Sequence, residues 1–135
     1  MITATPQIPR AARILVLTGS GIALGTAAFH ATGYAPLERA LARADLGEFF
    51  GRGLPGLWLM FSLHLVALAV AGAWAAWCAA AAARPLLVLI AALLALDVTI
   101  LTVYVGVFGG TLLLGGAAAA VGVGAALWLR GTTES

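Results

Sequence analysis

Four long apolar runs, separated by short polar or glycine-rich breaks, dominate the pattern of residues along the chain. Each run is close to the roughly 20 residues that a helix needs to cross the hydrocarbon core of a bilayer, about 30 Å thick. The runs predict helices over residues 11–32, 57–82, 85–108 and 111–129. Because short connections make consecutive helices antiparallel neighbours, we expect an all-α membrane protein, a four-transmembrane-helix up-and-down bundle.

The one polar stretch of any length lies between the first two predicted helices. Residues 36–50 carry five charged side chains, and apolar residues recur among them every three to five positions. This spacing predicts a short amphipathic helix at the membrane surface, ended by the glycines and the proline of residues 51–56. We expect residues 1–10 to be a flexible leader, residues 11–130 to be the membrane domain and residues 131–135 to be a tail.

Composition favours a membrane protein over a soluble one. Of the 135 residues, 63% are hydrophobic and 9% are charged, whereas a soluble domain has roughly a quarter of its residues charged. The net charge is only +2 and the arginines are scattered, which argues against nucleic acid as a partner. The lone cysteine, Cys78, excludes an internal disulfide and a thiolate metal cluster.

The distribution of arginine predicts the orientation in the membrane. Arg10, Arg13, Arg84 and Arg130 fall on one side of the predicted bundle, and three arginines fall on the other. Basic residues favour the cytoplasmic side, so we expect both termini in the cytoplasm and the surface helix on the outer face. The expected location is the plasma (inner) membrane, and the high alanine content is typical of a GC-rich bacterial source.

Three ionisable side chains lie within the predicted helices: His30, His64 and Asp97. An aspartate at mid-helix costs about 2.5–3.5 kcal/mol on membrane insertion, so such residues are functional candidates. At a rise of about 1.5 Å per residue, His64 and Asp97 lie at similar depth in the outer half of the membrane, with His30 nearer the surface. Tyr104 shares a helix face with Asp97, which makes these four residues a candidate polar site.

Three interpretations of this site remain open at the level of sequence. In the first, Asp97 accepts a hydrogen bond from His64 or a threonine, and the pair only sets the helix register. In the second, His30, His64 and Asp97 hold haem or a transition metal. In the third, the residues form a proton or small-ligand pathway that Tyr104 connects to the outer face. Familiar motifs of nucleophilic catalysis and phosphate binding are absent from the sequence, so we do not expect an enzyme.

Small residues recur at four-residue spacing, an arrangement that lets helices approach closely in lipid. The glycines expected to pack helices are Gly21, Gly25, Gly72, Gly106, Gly110, Gly116 and Gly124. This pattern favours a non-enzymatic accessory, assembly or interaction subunit that contacts the lipid bilayer and a membrane-protein partner or a second copy. A haem- or metal-binding redox protein and a small-molecule or proton carrier are the alternatives.

Overall fold

The computed structural model describes residues 8–78 and 82–130, and every regular element within these ranges is a helix. The elements are α1 (Arg10–Thr32), α2 (Tyr34–Leu41), α3 (Glu48–Cys78), α4 (Ala83–Tyr104) and α5 (Gly109–Arg130). Most of the predicted leader, residues 79–81 of the predicted second helix and the C-terminal tail lie outside the described residues. Four helical segments, with α1 and α2 counted together, are long and apolar enough to cross a membrane.

The predicted surface helix over residues 36–50 is wrong in its extent. Only its first part is helical, in α2, and Glu48 already begins α3. The predicted break at residues 51–56 is also wrong, because α3 runs through Pro55 and the glycines beside it. Proline in the helix removes one main-chain donor. A complete break would leave several backbone groups unpaired among apolar side chains such as Leu54 and Leu57, which costs more free energy. The hydrogen-bonded helix therefore extends through the expected break.

Gly33 joins α1 to α2 in one bent helical segment instead of a long loop. Its backbone stays in the right-handed helical region, with φ −74° and ψ −8°. A Cβ atom placed there would lie 2.5 Å from Cζ2 of Trp58, a distance that real side chains do not reach. Glycine is therefore required at the bend because the indole of Trp58 packs against this backbone.

The last turn of the bundle also differs from the prediction. Gly109 and Gly110 were expected to form it, but both belong to the first turn of α5, and α4 ends at Tyr104. Gly106 makes the reversal with a φ of +96°, a conformation that residues with a side chain rarely adopt. Phe108 donates its main-chain amide to the Thr111 hydroxyl at 2.9 Å, and this bond supports the start of α5.

Interhelical contacts confirm that consecutive long helices are antiparallel. Along α1 and α5, Gly19 lies against Val121 whereas Val16 lies against Gly124. The same opposed order joins α1 to α3, where Ser20 lies against Gly72 and His30 against Ser62. It also joins α3 to α4, where His64 meets Asp97 and Leu57 shares a pocket wall with Leu101. Between α4 and α5, Ala91 lies against Gly122 and Leu101 shares the wall of one cavity with Leu114. The helices follow the order α1, α3, α4, α5 around the bundle, and α5 closes it against α1.

Helix α1 is the most heavily packed element, since it contacts both α5 and α3 extensively. A stripe of small side chains on α1 is buried at these contacts: Gly19, Ser20, Ala23, Thr26 and Ala27. By contrast, α3 and α4 contact each other sparsely. The bundle is therefore tight around α1 and open along the α3–α4 seam, where α3 and α4 face each other.

The seven glycines predicted to pack helices have three kinds of environment. A Cβ atom on Gly72 would meet Ser20, and one on Gly124 would meet Val16 and the main chain of Ala12. The nearest atoms to a Cβ on Gly110 would be those of the Phe108 ring, just before α5. Four of the predicted glycines have open space where a side chain would go: Gly21, Gly25, Gly106 and Gly116.

A methyl group added at a helix contact should destabilise the bundle, whereas one added at a glycine with open space should not. Gly124→Ala places a Cβ atom 2.8 Å from Val16 Cγ2 and 3.0 Å from the carbonyl oxygen of Ala12. Because overpacking forces backbone shifts, we expect a loss of about 1–3 kcal/mol in the free energy of unfolding. Gly116→Ala is the matched control on the same helix, and no loss is expected. Denaturant titration followed by circular dichroism compares the two variants, and equal stability would contradict the close α1–α5 contact.

Candidate functional site

Two of the predicted site residues form a direct polar contact across the α3–α4 seam. His64 Nε2 donates to Asp97 Oδ2 over a distance of 3.1 Å. The contact is only partly enclosed, because the His64 side chain is 35% exposed and the Asp97 side chain is 15% exposed. The neighbours of this pair along each helix are apolar, so each side chain is the main polar partner of the other and their contact aligns α3 with α4.

His30 makes a separate set of contacts with Ser62 and Trp58, which lie two and six residues before His64 in α3. Its Nδ1 atom lies 2.9 Å from the hydroxyl oxygen of Ser62. The imidazole stacks on Trp58, with ring centroids 4.0 Å apart and an angle of 16° between the planes. The indole Nε1 of Trp58 also donates to the carbonyl oxygen of His30 at 2.8 Å. Ring stacking and two hydrogen bonds therefore fix the end of α1 on α3.

The predicted residues do not converge on one point. Phe61 lies between the two imidazoles, with ring centroids 5.0 Å from His30 and 6.4 Å from His64. Tyr104 ends α4 with 83% of its surface exposed, and no hydrogen bond joins it to Asp97. Within residues 8–78 and 82–130, no group of three or more histidine, cysteine, aspartate or glutamate side chains is placed to hold a metal ion.

A cavity of about 310 Å³ opens beside His30, between the end of α1, the first half of α3, the end of α4 and the start of α5. Its size is at the lower end of the range for small-molecule sites in proteins. The wall is mostly apolar and aromatic, and six of the residues that line it are Thr26, His30, Trp58, Phe61, Leu101 and Leu114. Leu101 also lies one helical turn beyond Asp97, so the His64–Asp97 pair is just below this cavity.

Sequence analysis missed three residues that build the site: Ser62, Trp58 and Phe61. Ser62 has no basic neighbour in sequence, and Trp58 lies near the start of its predicted helix, where a tryptophan is typical of a membrane-interface anchor. A usable signal was present, because Trp58 and Ser62 are four residues apart and therefore share a helix face. Only the antiparallel register of α1 and α3 brings that face to His30.

Two tryptophans near helix ends, Trp77 in α3 and Trp128 in α5, have different environments. Trp77 is 66% exposed, whereas Trp128 is 1% exposed and buried at the other end of the bundle from the cavity. The guanidinium of Arg13 lies 5.5 Å from the ring centre of Trp77, and that of Arg84 lies 5.3 Å from that of Trp128. These cation–π contacts hold two of the predicted cytoplasmic arginines on aromatic surfaces.

A double-mutant cycle tests whether His64 and Asp97 act as a pair. His64→Leu and Asp97→Leu each leave one polar partner unsatisfied, so each is expected to cost about 1–3 kcal/mol in the free energy of unfolding. The double variant should lose less than the sum of the two, by about 0.5–3 kcal/mol. Asp97→Asn retains an acceptor oxygen and serves as the mild control. Strict additivity in detergent unfolding titrations would contradict a coupled pair.

Comparison with known proteins gives no match to a protein-family model, to a curated protein or to a solved structure.

Proposed function

We propose that this chain is a multi-pass membrane protein that binds a small, mainly apolar molecule in the cavity beside His30. The helices α4 and α5, with 22 residues each, are about 33 Å long at 1.5 Å per residue, which matches the hydrocarbon thickness of a bilayer. Large apolar side chains such as Leu63, Leu96 and Leu112 are exposed on the outside of the bundle. Lipid is the environment in which that surface is stable.

Arginine placement supports an orientation within the same proposal. The ends of α1 and α5 that carry Arg10, Arg13 and Arg130 share one side of the bundle with Arg84. Applied to this arrangement, the preference of basic residues for the cytoplasm puts both termini inside. The cavity then opens toward the outer half of a bacterial inner membrane.

The single observation that carries the binding proposal is the make-up of the cavity wall. Functional pockets for small molecules are mostly apolar with a few placed polar groups, and this cavity combines aromatic and aliphatic side chains with one imidazole. The sparse α3–α4 seam borders the cavity at Leu101. A molecule dissolved in the bilayer therefore has a route between these two helices that does not cross the polar headgroups.

Filling the cavity tests this function directly. Leu101→Trp places a larger side chain in the cavity, whereas Ile100→Trp adds the same side chain at an exposed position one residue earlier on α4. The probe is 1-fluoronaphthalene, followed by fluorine NMR with the protein in lipid nanodiscs and corrected for its partition into empty nanodiscs. We expect binding to the wild type and to Ile100→Trp, and at least tenfold weaker binding to Leu101→Trp. Equal binding by all three proteins would contradict the proposal.

A second function, self-association through helix contacts, is favoured by the glycines that the bundle leaves open. Gly21 and Gly25 lie four residues apart on α1, and no atom of another element is within 4 Å of their Cβ positions. Gly21 also lines a shallow groove of about 240 Å³ between α1 and α3. In lipid, such a face allows close approach of a helix from a second copy.

Energy transfer between labelled copies tests self-association. Cys78 is exposed and is the single cysteine of the chain, so donor and acceptor dyes attach there without further mutation. In lipid vesicles we expect transfer between wild-type copies and its loss in Gly25→Leu, whose side chain blocks close approach. Ala119→Leu, at an exposed small residue of α5, is the control that should retain transfer. No transfer between wild-type copies above random encounters would remove this candidate.

A further inference from the structure

The position of the proton on the neutral His30 ring depends on which group receives the Ser62 hydrogen, because Ser62 contacts Nδ1 of His30. The hydroxyl of Ser62 has a single hydrogen, and it is placed to donate to the carbonyl oxygen of Trp58, one turn earlier in α3, at 3.3 Å. With that hydrogen engaged, the Ser62 oxygen accepts at its 2.9 Å contact with Nδ1 of His30. The neutral imidazole then carries its proton on Nδ1, and the other ring nitrogen, Nε2, has a free lone pair.

The other polar side chains in the described wall of the cavity donate their hydrogens to acceptors within the protein. The hydroxyls of Thr26 and Thr32 donate to main-chain carbonyl oxygens of α1 at 2.8 and 2.6 Å. The indole of Trp58 donates to the carbonyl oxygen of His30 at 2.8 Å. Among the described residues, the cavity wall therefore offers no side-chain N–H or O–H to a bound molecule.

We infer that the cavity selects apolar molecules that carry a hydrogen-bond donor, a hydroxyl or an N–H group, and that His30 Nε2 accepts this hydrogen bond. The inference rests on the proposed binding function and adds the chemical class of the ligand. A group that can only accept, such as an ether oxygen, finds no side-chain donor in the wall and loses its hydration on entry. Ser62 is the positioning residue, because it holds the proton on Nδ1.

Nitrogen NMR tests the proton position without any ligand. The chain has two histidines, so protein grown on ¹⁵N-histidine gives two ring systems, and His64→Leu assigns them. We expect the His30 ring to be protonated on Nδ1 with an unprotonated Nε2 at a pH where the ring is neutral. In Ser62→Ala the preference should reverse or become mixed, because the oxygen that receives the Nδ1 proton is gone. An Nε2-protonated ring in the wild type would overturn the inference.

A matched pair of probes tests ligand selection. 4-Fluoro-1-naphthol carries one hydroxyl donor, and 4-fluoro-1-methoxynaphthalene has a similar ring system without the donor. In nanodiscs, we expect the wild type to bind the naphthol about tenfold more tightly than the ether, the upper end of what one hydrogen bond contributes. Ser62→Ala should reduce this ratio severalfold. His30→Phe, which keeps a ring for stacking on Trp58, should reduce it to about one.

The outcomes separate this inference from the proposed function. If the wild type binds both probes equally and Leu101→Trp binds neither, the cavity is a binding site and the selection by His30 is wrong. If Leu101→Trp binds both probes as tightly as the wild type does, the proposed binding function is wrong, and the inference is wrong with it. If His30→Phe does not fold, the ratio measured in Ser62→Ala and the nitrogen spectrum still decide the matter.

Discussion

Close approach of α1 to its neighbours is the constraint on which the rest of the structure depends. Gly19 and Gly124 bring the backbones of α1 and α5 within reach of each other's side chains, and Gly72 does the same for α3 at Ser20. Small residues at such crossings gain many van der Waals contacts, which matter most where lipid removes the hydrophobic driving force between helices. Helix α1 packs against both α3 and α5. Of the four contacts between adjacent long helices, the one between α3 and α4 is the least extensive.

That uneven packing places the polar groups. At the tight end of the α3–α1 contact, His30, Ser62 and Trp58 form a closed set of hydrogen bonds and a stacked pair of rings. Along the open seam, His64 and Asp97 provide the polar contact that joins α3 to α4. The cavity lies beside the first set, next to His30 and Trp58, and Phe61 separates His30 from the His64–Asp97 pair.

The bend at Gly33 sets the outer boundary of the cavity. A residue with a side chain at this position would collide with Trp58, and a displaced Trp58 would release both its stacking partner and the carbonyl oxygen of His30. One glycine thus controls the position of the imidazole, although it has no chemical role itself. The polar chemistry of the site depends on backbone geometry several residues away.

The sequence by itself determined the number of long helices, the bounds of the first one and the antiparallel order, because run length and short connections leave few alternatives. It also identified His30, His64 and Asp97, since ionisable residues stand out in apolar runs. It placed a break around residues 51–56 wrongly, because glycine and proline are weak breakers where the backbone must stay hydrogen-bonded. It placed the last turn at Gly109 and Gly110, whereas Gly106 makes the reversal a few residues earlier.

Only the tertiary structure decided which residues meet. Gly124 packs at a helix interface whereas Gly116 does not, although both belong to the same four-residue spacing in sequence. His64 pairs with Asp97, whereas His30 pairs with Ser62, because the rotation and register of α3 against α1 and α4 are set by contacts distributed over whole helix faces. Those contacts join residues more than 30 positions apart in sequence, and no local pattern specifies them.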